Sequence, residues 1–259
     1  MLPMTAGRRV ALAIGVPLCL VLTANTGLDL VANVGRGTVP VDYHIPAGAH
    51  RVSVTTDGGS VSLRQLAGGQ GTIAGTATYS LVRPHITERL TAGESVFGYR
   101  CVFWEGSCGF DGTVSVDAGT AASVSTGGGN VTADGTSGTV SLSTGGGNVT
   151  ADRVSGDLAL STGGGDVQAT GITAAQVSAD TGGGDVEIVF TQVPRNVEVS
   201  TGGGSITIVV PPGSTQYHVT ASTGGGNVND AVPQNTSSPR VIDASSGGGD
   251  ITIREATSP

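Results

Sequence analysis

Glycine triplets recur seven times in this chain, beginning at Gly127, Gly145, Gly163, Gly182, Gly202, Gly224 and Gly247. The steps between them are 18, 18, 19, 20, 22 and 23 residues. Aligned on the first glycine, the repeats contain four apolar columns. Three positions before it stand Val124, Leu142, Leu160, Ala179, Val199, Ala221 and Ala244. Five before it stand Ala122, Val140, Leu158, Val177, Val197, Val219 and Ile242. Four after it come Val131, Val149, Val167, Val186, Ile206, Val228 and Ile251. Six after it come Ala133, Ala151, Ala169, Ile188, Ile208, Asp230 and Ile253, where Asp230 is the single break. Apolar residues alternating with polar ones mark strands with one buried face. Each repeat therefore predicts two short strands, one ending at the Ser-Thr before the glycines and one opening after them.

The constant part of the repeat is twelve residues, and the extra length falls between one repeat's second strand and the next repeat's first. Pro194, Pro211, Pro212, Pro233 and Pro239 lie in the longer connections. Insertions confined to one position map to one side of a stacked structure. Two short strands cannot bury a core alone, but stacked coils can. The expected fold is all-β, a single-stack β-solenoid with coils of 18–23 residues. At about 4.8 Å per coil, seven coils make a rod ~34 Å long. The triplets are read as corners where glycine lets the chain turn tightly. A degenerate copy, Val52–Leu63, fits all four columns with Asp57 in place of the first glycine, and Phe110–Val116 reads as a second strand without a triplet. The solenoid is thus expected over 51–259, with an irregular cysteine-bearing insertion at 64–109 and a linker at 33–50.

Arg8 and Arg9 precede Val10–Leu28, nineteen residues without a charge. As a helix this segment reaches ~28 Å, close to the hydrocarbon thickness of a bilayer. The expectation is a cytoplasmic 1–9, a transmembrane helix within 10–32 and an exported remainder, making a single-pass cell-membrane protein. The rival is a signal peptide cut near Ala24 and a secreted product. The anchor is favoured, because Leu22 occupies the position where a cleavage site needs a small residue. Cys19 lies inside the apolar segment, leaving Cys101 and Cys108. In an exported chain the pair reads as a disulfide in preference to a metal site, which would need further ligands nearby.

Forty-four glycines and only nine aromatic residues exclude an ordinary globular interior. The net charge of −8, with twelve arginines and no lysine, argues against a nucleic-acid partner. A phosphate cradle is excluded because the triplets open strands rather than helices. Calcium is the sharper alternative. Directly after the triplets stand Asn130, Asn148, Asp166, Asp185, Ser205, Asn227 and Asp250, and the neighbouring acids Asp166 and Asp185 are the candidate ligands. The competing reading is that Asx residues suit a turn into a strand and form side-chain ladders. No other cofactor is expected.

A polysaccharide-acting β-helix enzyme is the remaining alternative. Beyond residue 110 only Phe190 and Tyr217 are aromatic, too few for a sugar platform, and His44, His50, His85 and His218 are scattered. The Thr column (Thr126, Thr144, Thr162, Thr181, Thr201, Thr223, with Ser246 last) reads as packed methyls with a hydroxyl ladder. Tyr99, Phe103 and Trp104 form an aromatic cluster at the cysteine loop, expected to plug the solenoid.

The apolar leader, the cysteine-bearing middle and the repeated S-T-G-G-G-[ND]-V resemble the bacterial adhesin-like family of β-strand-repeat proteins. The likeness runs from about residue 38 onward. It implies an extracytoplasmic, right-handed β-solenoid, often membrane-tethered, and supplies no catalytic residues. The expected function is a non-catalytic structural, adhesive or envelope-sensing module. Envelope or cell-surface proteins, glycans, and end-to-end association with a second copy are the candidate partners.

Overall fold

The computed structural model describes residues 36–80, 82–91, 93–102 and 108–257. They form twenty-one strands in two sheets. Before the first triplet lie β1 (Arg36–His44), β2 (Arg51–Thr56), β3 (Val61–Gln65), β4 (Thr72–Ser80), β5 (His85–Thr91), β6 (Glu94–Arg100) and β7 (Gly109–Val116). The first four repeats give β8 (Ala121–Thr126), β9 (Val131–Asp134), β10 (Val140–Thr144), β11 (Val149–Asp152), β12 (Leu158–Thr162), β13 (Val167–Ile172), β14 (Gln176–Thr181) and β15 (Val186–Phe190). The last three give β16 (Asn196–Thr201), β17 (Ile206–Val210), β18 (His218–Thr223), β19 (Val228–Asp230), β20 (Val241–Ser246) and β21 (Ile251–Glu255).

Every repeat sends its first strand to one sheet and its second to the other, in parallel. Equivalent residues face each other without stagger: Val140 pairs with Ala122 on one side and Leu158 on the other, and Leu142 with Val124 and Leu160. The apolar columns thus become continuous ridges between the sheets. All four are buried in every repeat except the sixth.

The sixth repeat is exceptional because the stack does not follow chain order. The sheets run β17-β21-β19 and β16-β20-β18, so the seventh coil sits between the fifth and the sixth. The sixth is the terminal coil. Val228 is 44% exposed there, and Val219, Ala221 and Asp230 are half-buried. This accounts for Asp230 in an apolar column: an interior coil would bury its charge, whereas the end leaves it in water. The Asp230 carboxylate accepts the Val232 N–H at 3.1 Å and a bond from Gln234 Nε2. It also accounts for the long connections. β17 must reach past a whole coil to β18, and β19 must return by one to β20.

The same inversion occurs at the other end. β2 and β3, the degenerate copy, are flanked by β8 and β9 on one side and by β6 and β7 on the other. Nine coils therefore stack among the described residues, two more than the triplets count. The eleven strands of the larger sheet extend over roughly 48 Å. The segment 64–109 contains β4, β5 and β6, and β6 is a coil strand. The supposed linker at 33–50 contains β1. β4 pairs antiparallel with β7, β1 with β4, and β5 with β6, which ends the parallel stack. Phe97, Tyr99 and Phe110 fill this end, with ring centroids 5.2 Å (Phe97–Phe110) and 6.3 Å (Tyr99–Phe110) apart.

The helix predicted within 10–32 lies outside the described residues. Among those described, no helix is long and apolar enough to cross a membrane.

The triplets serve a different purpose from the tight turn expected. None of their glycines has the left-handed φ that would exclude other residues. Instead, a Cβ on the first or third glycine would overlap a carbonyl of the adjacent coil, as at Gly163 against Gly145 and Gly165 against Gly147. Around the middle glycine of the same triplet, Gly164, a Cβ would meet nothing within 4 Å. The first and third positions are glycine because backbones stack there without room for a side chain.

Candidate functional site

In six of the seven repeats the Thr or Ser directly before the triplet bonds twice through its hydroxyl. Thr144 Oγ1 donates to the Gly129 carbonyl of the adjacent coil at 2.7 Å and accepts the Gly147 N–H of its own corner at 3.3 Å. Thr162 repeats this with Gly147 and Gly165 at 2.7 and 3.2 Å. The contacts recur at Thr181, Thr201, Thr223 and Ser246. The hydroxyls do not form the expected ladder with one another; they tie each coil to its neighbour's third glycine. A hydroxyl engaged in this way bolts one coil to the next.

The column after the triplets also joins coils. Asn148 N–H donates to Asn130 Oδ1 at 2.9 Å, Asp166 N–H to Asn148 Oδ1 at 2.9 Å, and Asp185 N–H to Asp166 Oδ1 at 2.9 Å. Ser205 N–H closes on Asp185 Oδ1 at 2.7 Å. A short residue whose side-chain oxygen accepts from the next coil is what this position needs, and Asn serves as well as Asp.

Asp166 and Asp185 are adjacent in that column and line an open groove of about 480 Å³ on the outer face of the larger sheet. Gln168 and Glu187 line it too, with Gln168 Nε2 donating to Glu187 Oε2 at 3.3 Å. Sequence reasoning missed Glu187. It stands on the outward side of β15, two residues after Asp185. Among the described residues, no three His, Cys, Asp or Glu side chains converge on a point that could hold a metal ion.

Cys101 and Cys108 form a disulfide, with Cα atoms 6.2 Å apart. It closes the corner between β6 and β7, where the other coils have glycines. Asp57, which replaces the first glycine of the degenerate copy, accepts the Cys101 N–H on Oδ2 at 2.8 Å. Tyr99 is buried beside it; its hydroxyl donates to the Thr78 carbonyl at 2.6 Å and lies 3.1 Å from Cys108 Sγ. Burial pushes the Tyr99 pKa above its ordinary value. Phe103 and Trp104 lie outside the described residues.

The four histidines remain apart, on β1, before β2, on β5 and at the start of β18. Phe190 and Tyr217 are both buried, 2% and 1% exposed, so neither offers a ring to a sugar.

Comparison with known proteins supplies the remaining context. No curated protein matches the chain. Among solved structures, it is similar to a “putative cell adhesion protein” from Clostridium sporogenes, at 15% identity and a TM-score of 0.40, covering 85% of this chain and 100% of that one. It is also similar to a “putative adhesin” from Bacteroides fragilis, at 14% identity and a TM-score of 0.42, covering 85% of this chain and 97% of that one. A “putative adhesin” from Parabacteroides merdae is similar at 13% identity and a TM-score of 0.41, covering 85% and 96%. The model of the Toastrack DUF4097 family matches residues 29–258, and the chain belongs to that family.

Proposed function

We propose that this chain is a non-catalytic, adhesin-like interaction module held at the cell envelope by an N-terminal membrane anchor. In this reading the stack is a right-handed solenoid that carries its binding surfaces outside the cell. One observation supports the non-catalytic part. The repeated hydroxyls and the Asx side chains, the residues that would have to do chemistry, are engaged in bonds between coils. What the rod leaves for partners is its variable connections, its groove and its two ends. Envelope or cell-surface proteins and glycans are the partner classes this reading admits.

Two measurements test it. The full chain in its cells should resist alkaline extraction from membranes and be digested by protease added outside. Recovery in the cytoplasm, or free in the medium, would refute the anchor. Cross-linked partners recovered from intact envelopes would then identify what the rod binds.

Weak calcium binding at Asp166 and Asp185 is a second reading, favoured by Glu187 lining the same groove. Calorimetry on the full chain should give a calcium heat that disappears in Asp185→Asn. No heat and no thermal shift would end this reading.

A further inference from the structure

β5 is the strand that sets the two ends of the rod apart. It pairs with β6 alone, and all seven of its residues are exposed. In the β5–β6 register, Ile86 stands opposite Tyr99 and Leu90 opposite Ser95, residues whose side chains face the core. The face of β5 that continues the core is therefore uncovered by any described residue. Ile86 is 38% exposed, Leu90 51%, and Val82, just before the strand, 41%.

Charge divides along the same axis. Residues 36–102 carry six arginines against four carboxylates, whereas residues 109–257 carry four against fourteen. Arg36, Arg83 and Arg89 are exposed at the β5 end. The ion pairs among the described residues are those of Arg153, so no contacting carboxylate neutralises these three. The chain also enters the fold here. Arg36 opens β1 opposite Ser80, the last residue of β4, and β5 begins five residues after Ser80. Only residues 29–35 separate that point from the apolar segment Val10–Leu28, a reach of at most ~24 Å when fully extended.

We propose that the β5 end of the rod rests on an anionic lipid surface, with Val82, Ile86 and Leu90 at the headgroup boundary and Arg36, Arg83 and Arg89 on the lipid phosphates. Ile86, Glu88 and Leu90 lie on one face of β5 and Arg89, opposite Val96, on the other, so apolar and cationic side chains flank the unpaired edge of the strand from its two sides, an arrangement suited to interfacial contact with anionic lipid. Glu88, between Ile86 and Leu90, limits the contact to headgroup depth, where its carboxylate stays hydrated. The acidic stack is repelled by the same surface and stands away from it. The orientation deepens the anchor reading and rests on it for the short tether.

The test is amide hydrogen exchange on the full chain reconstituted in vesicles of phosphatidylcholine alone or with about a third phosphatidylglycerol. Exchange at β5 should slow about tenfold in the anionic vesicles, while β19 at the far end is unchanged. Arg83→Gln with Arg89→Gln should abolish the difference without altering exchange in the stack. Equal exchange at β5 in both lipids overturns the proposal while leaving the anchor intact. Protection of β5 that rises with protein concentration and ignores lipid also overturns it, by placing a second copy there. Flotation with phosphatidylcholine vesicles after an alkaline wash tests the anchor separately. If it fails, anionic vesicles added to the free chain decide the lipid contact by the same β5 readout.

Discussion

Gly164 and Gly165 are neighbours of identical chemistry, and the stack predicts opposite responses to the same substitution. At Gly165 an alanine Cβ would overlap the Gly147 carbonyl and lie 2.6 Å from Asn148 Oδ1. Relieving that overlap requires the two coils to separate locally by roughly 1 Å. Four bonds cross the gap at this corner: Thr162 Oγ1 to the Gly147 carbonyl at 2.7 Å, Asp166 N–H to Asn148 Oδ1 at 2.9 Å, Gly163 N–H to the Thr144 carbonyl at 3.1 Å and Val149 N–H to the Asp166 carbonyl at 2.9 Å. Losing two of them costs about 2 kcal/mol, and the overpacking adds about 1–3 kcal/mol. A loss of about 3–5 kcal/mol in a chain of this size lowers Tm by roughly 6–20 °C. At Gly164 a Cβ meets nothing, and φ lies outside the left-handed region. Alanine there should be neutral or stabilise by up to about 1 kcal/mol, because it restricts the unfolded chain. Thermal unfolding of the purified full-length variants, followed by circular dichroism, separates the two cases. Equal shifts for Gly164→Ala and Gly165→Ala would refute the claim that contact between coils selects the triplet.

Three further outcomes follow from the same contacts. Thr162→Val keeps the packed shape but removes a hydroxyl that bonds twice, and should cost about 1–3 kcal/mol in a denaturant titration; an unchanged midpoint would mean that the column holds nothing together. Asp230→Ile removes the charge from the apolar column of the terminal coil and should yield species larger than a monomer by analytical ultracentrifugation, since inward-facing charge is how exposed sheet ends avoid pairing; a variant that stays monomeric at high concentration would count against this role. Tyr99 has its pKa raised above 10.0 by burial, so the folded chain holds that proton more tightly than the unfolded one. The associated stability is complete below pH 10 and declines as pH rises through the raised value. Tyr99→Phe should flatten the fall of Tm above pH 10, and part of the fall should remain because burial raises Tyr217 too.

The strands of the repeats were legible because their signal is local. An apolar residue at every second position decides which face is buried, and the Val52–Leu63 copy obeyed the same rule despite Asp57. Stacking order was not legible, because every coil presents the same columns to either neighbour. Only Asp230 and the lengthened connections distinguish the sixth repeat, and their meaning depends on which coil is last. β6 was hidden for another reason. Its corner is a disulfide loop, and its core residues are Ser95, Phe97 and Tyr99 where the other coils use aliphatics and Thr. At the candidate site, Asp166 and Asp185 were visible as adjacent acids. Glu187 was passed over because outward positions on a strand carry no pattern of their own.

The seventh coil lies between the fifth and the sixth, and this limits how such a protein can change length through descent. A repeat appended after Ile253 finds both faces of its predecessor occupied, so copying the carboxyl end does not simply lengthen the rod. The interior is permissive. The units beginning at Gly127, Gly145 and Gly163 have equal spacing and matched pairing, so a duplication or deletion of one unit there preserves every contact at both ends. Relatives of different reach are therefore expected to differ in the number of central units, with both ends inherited unchanged.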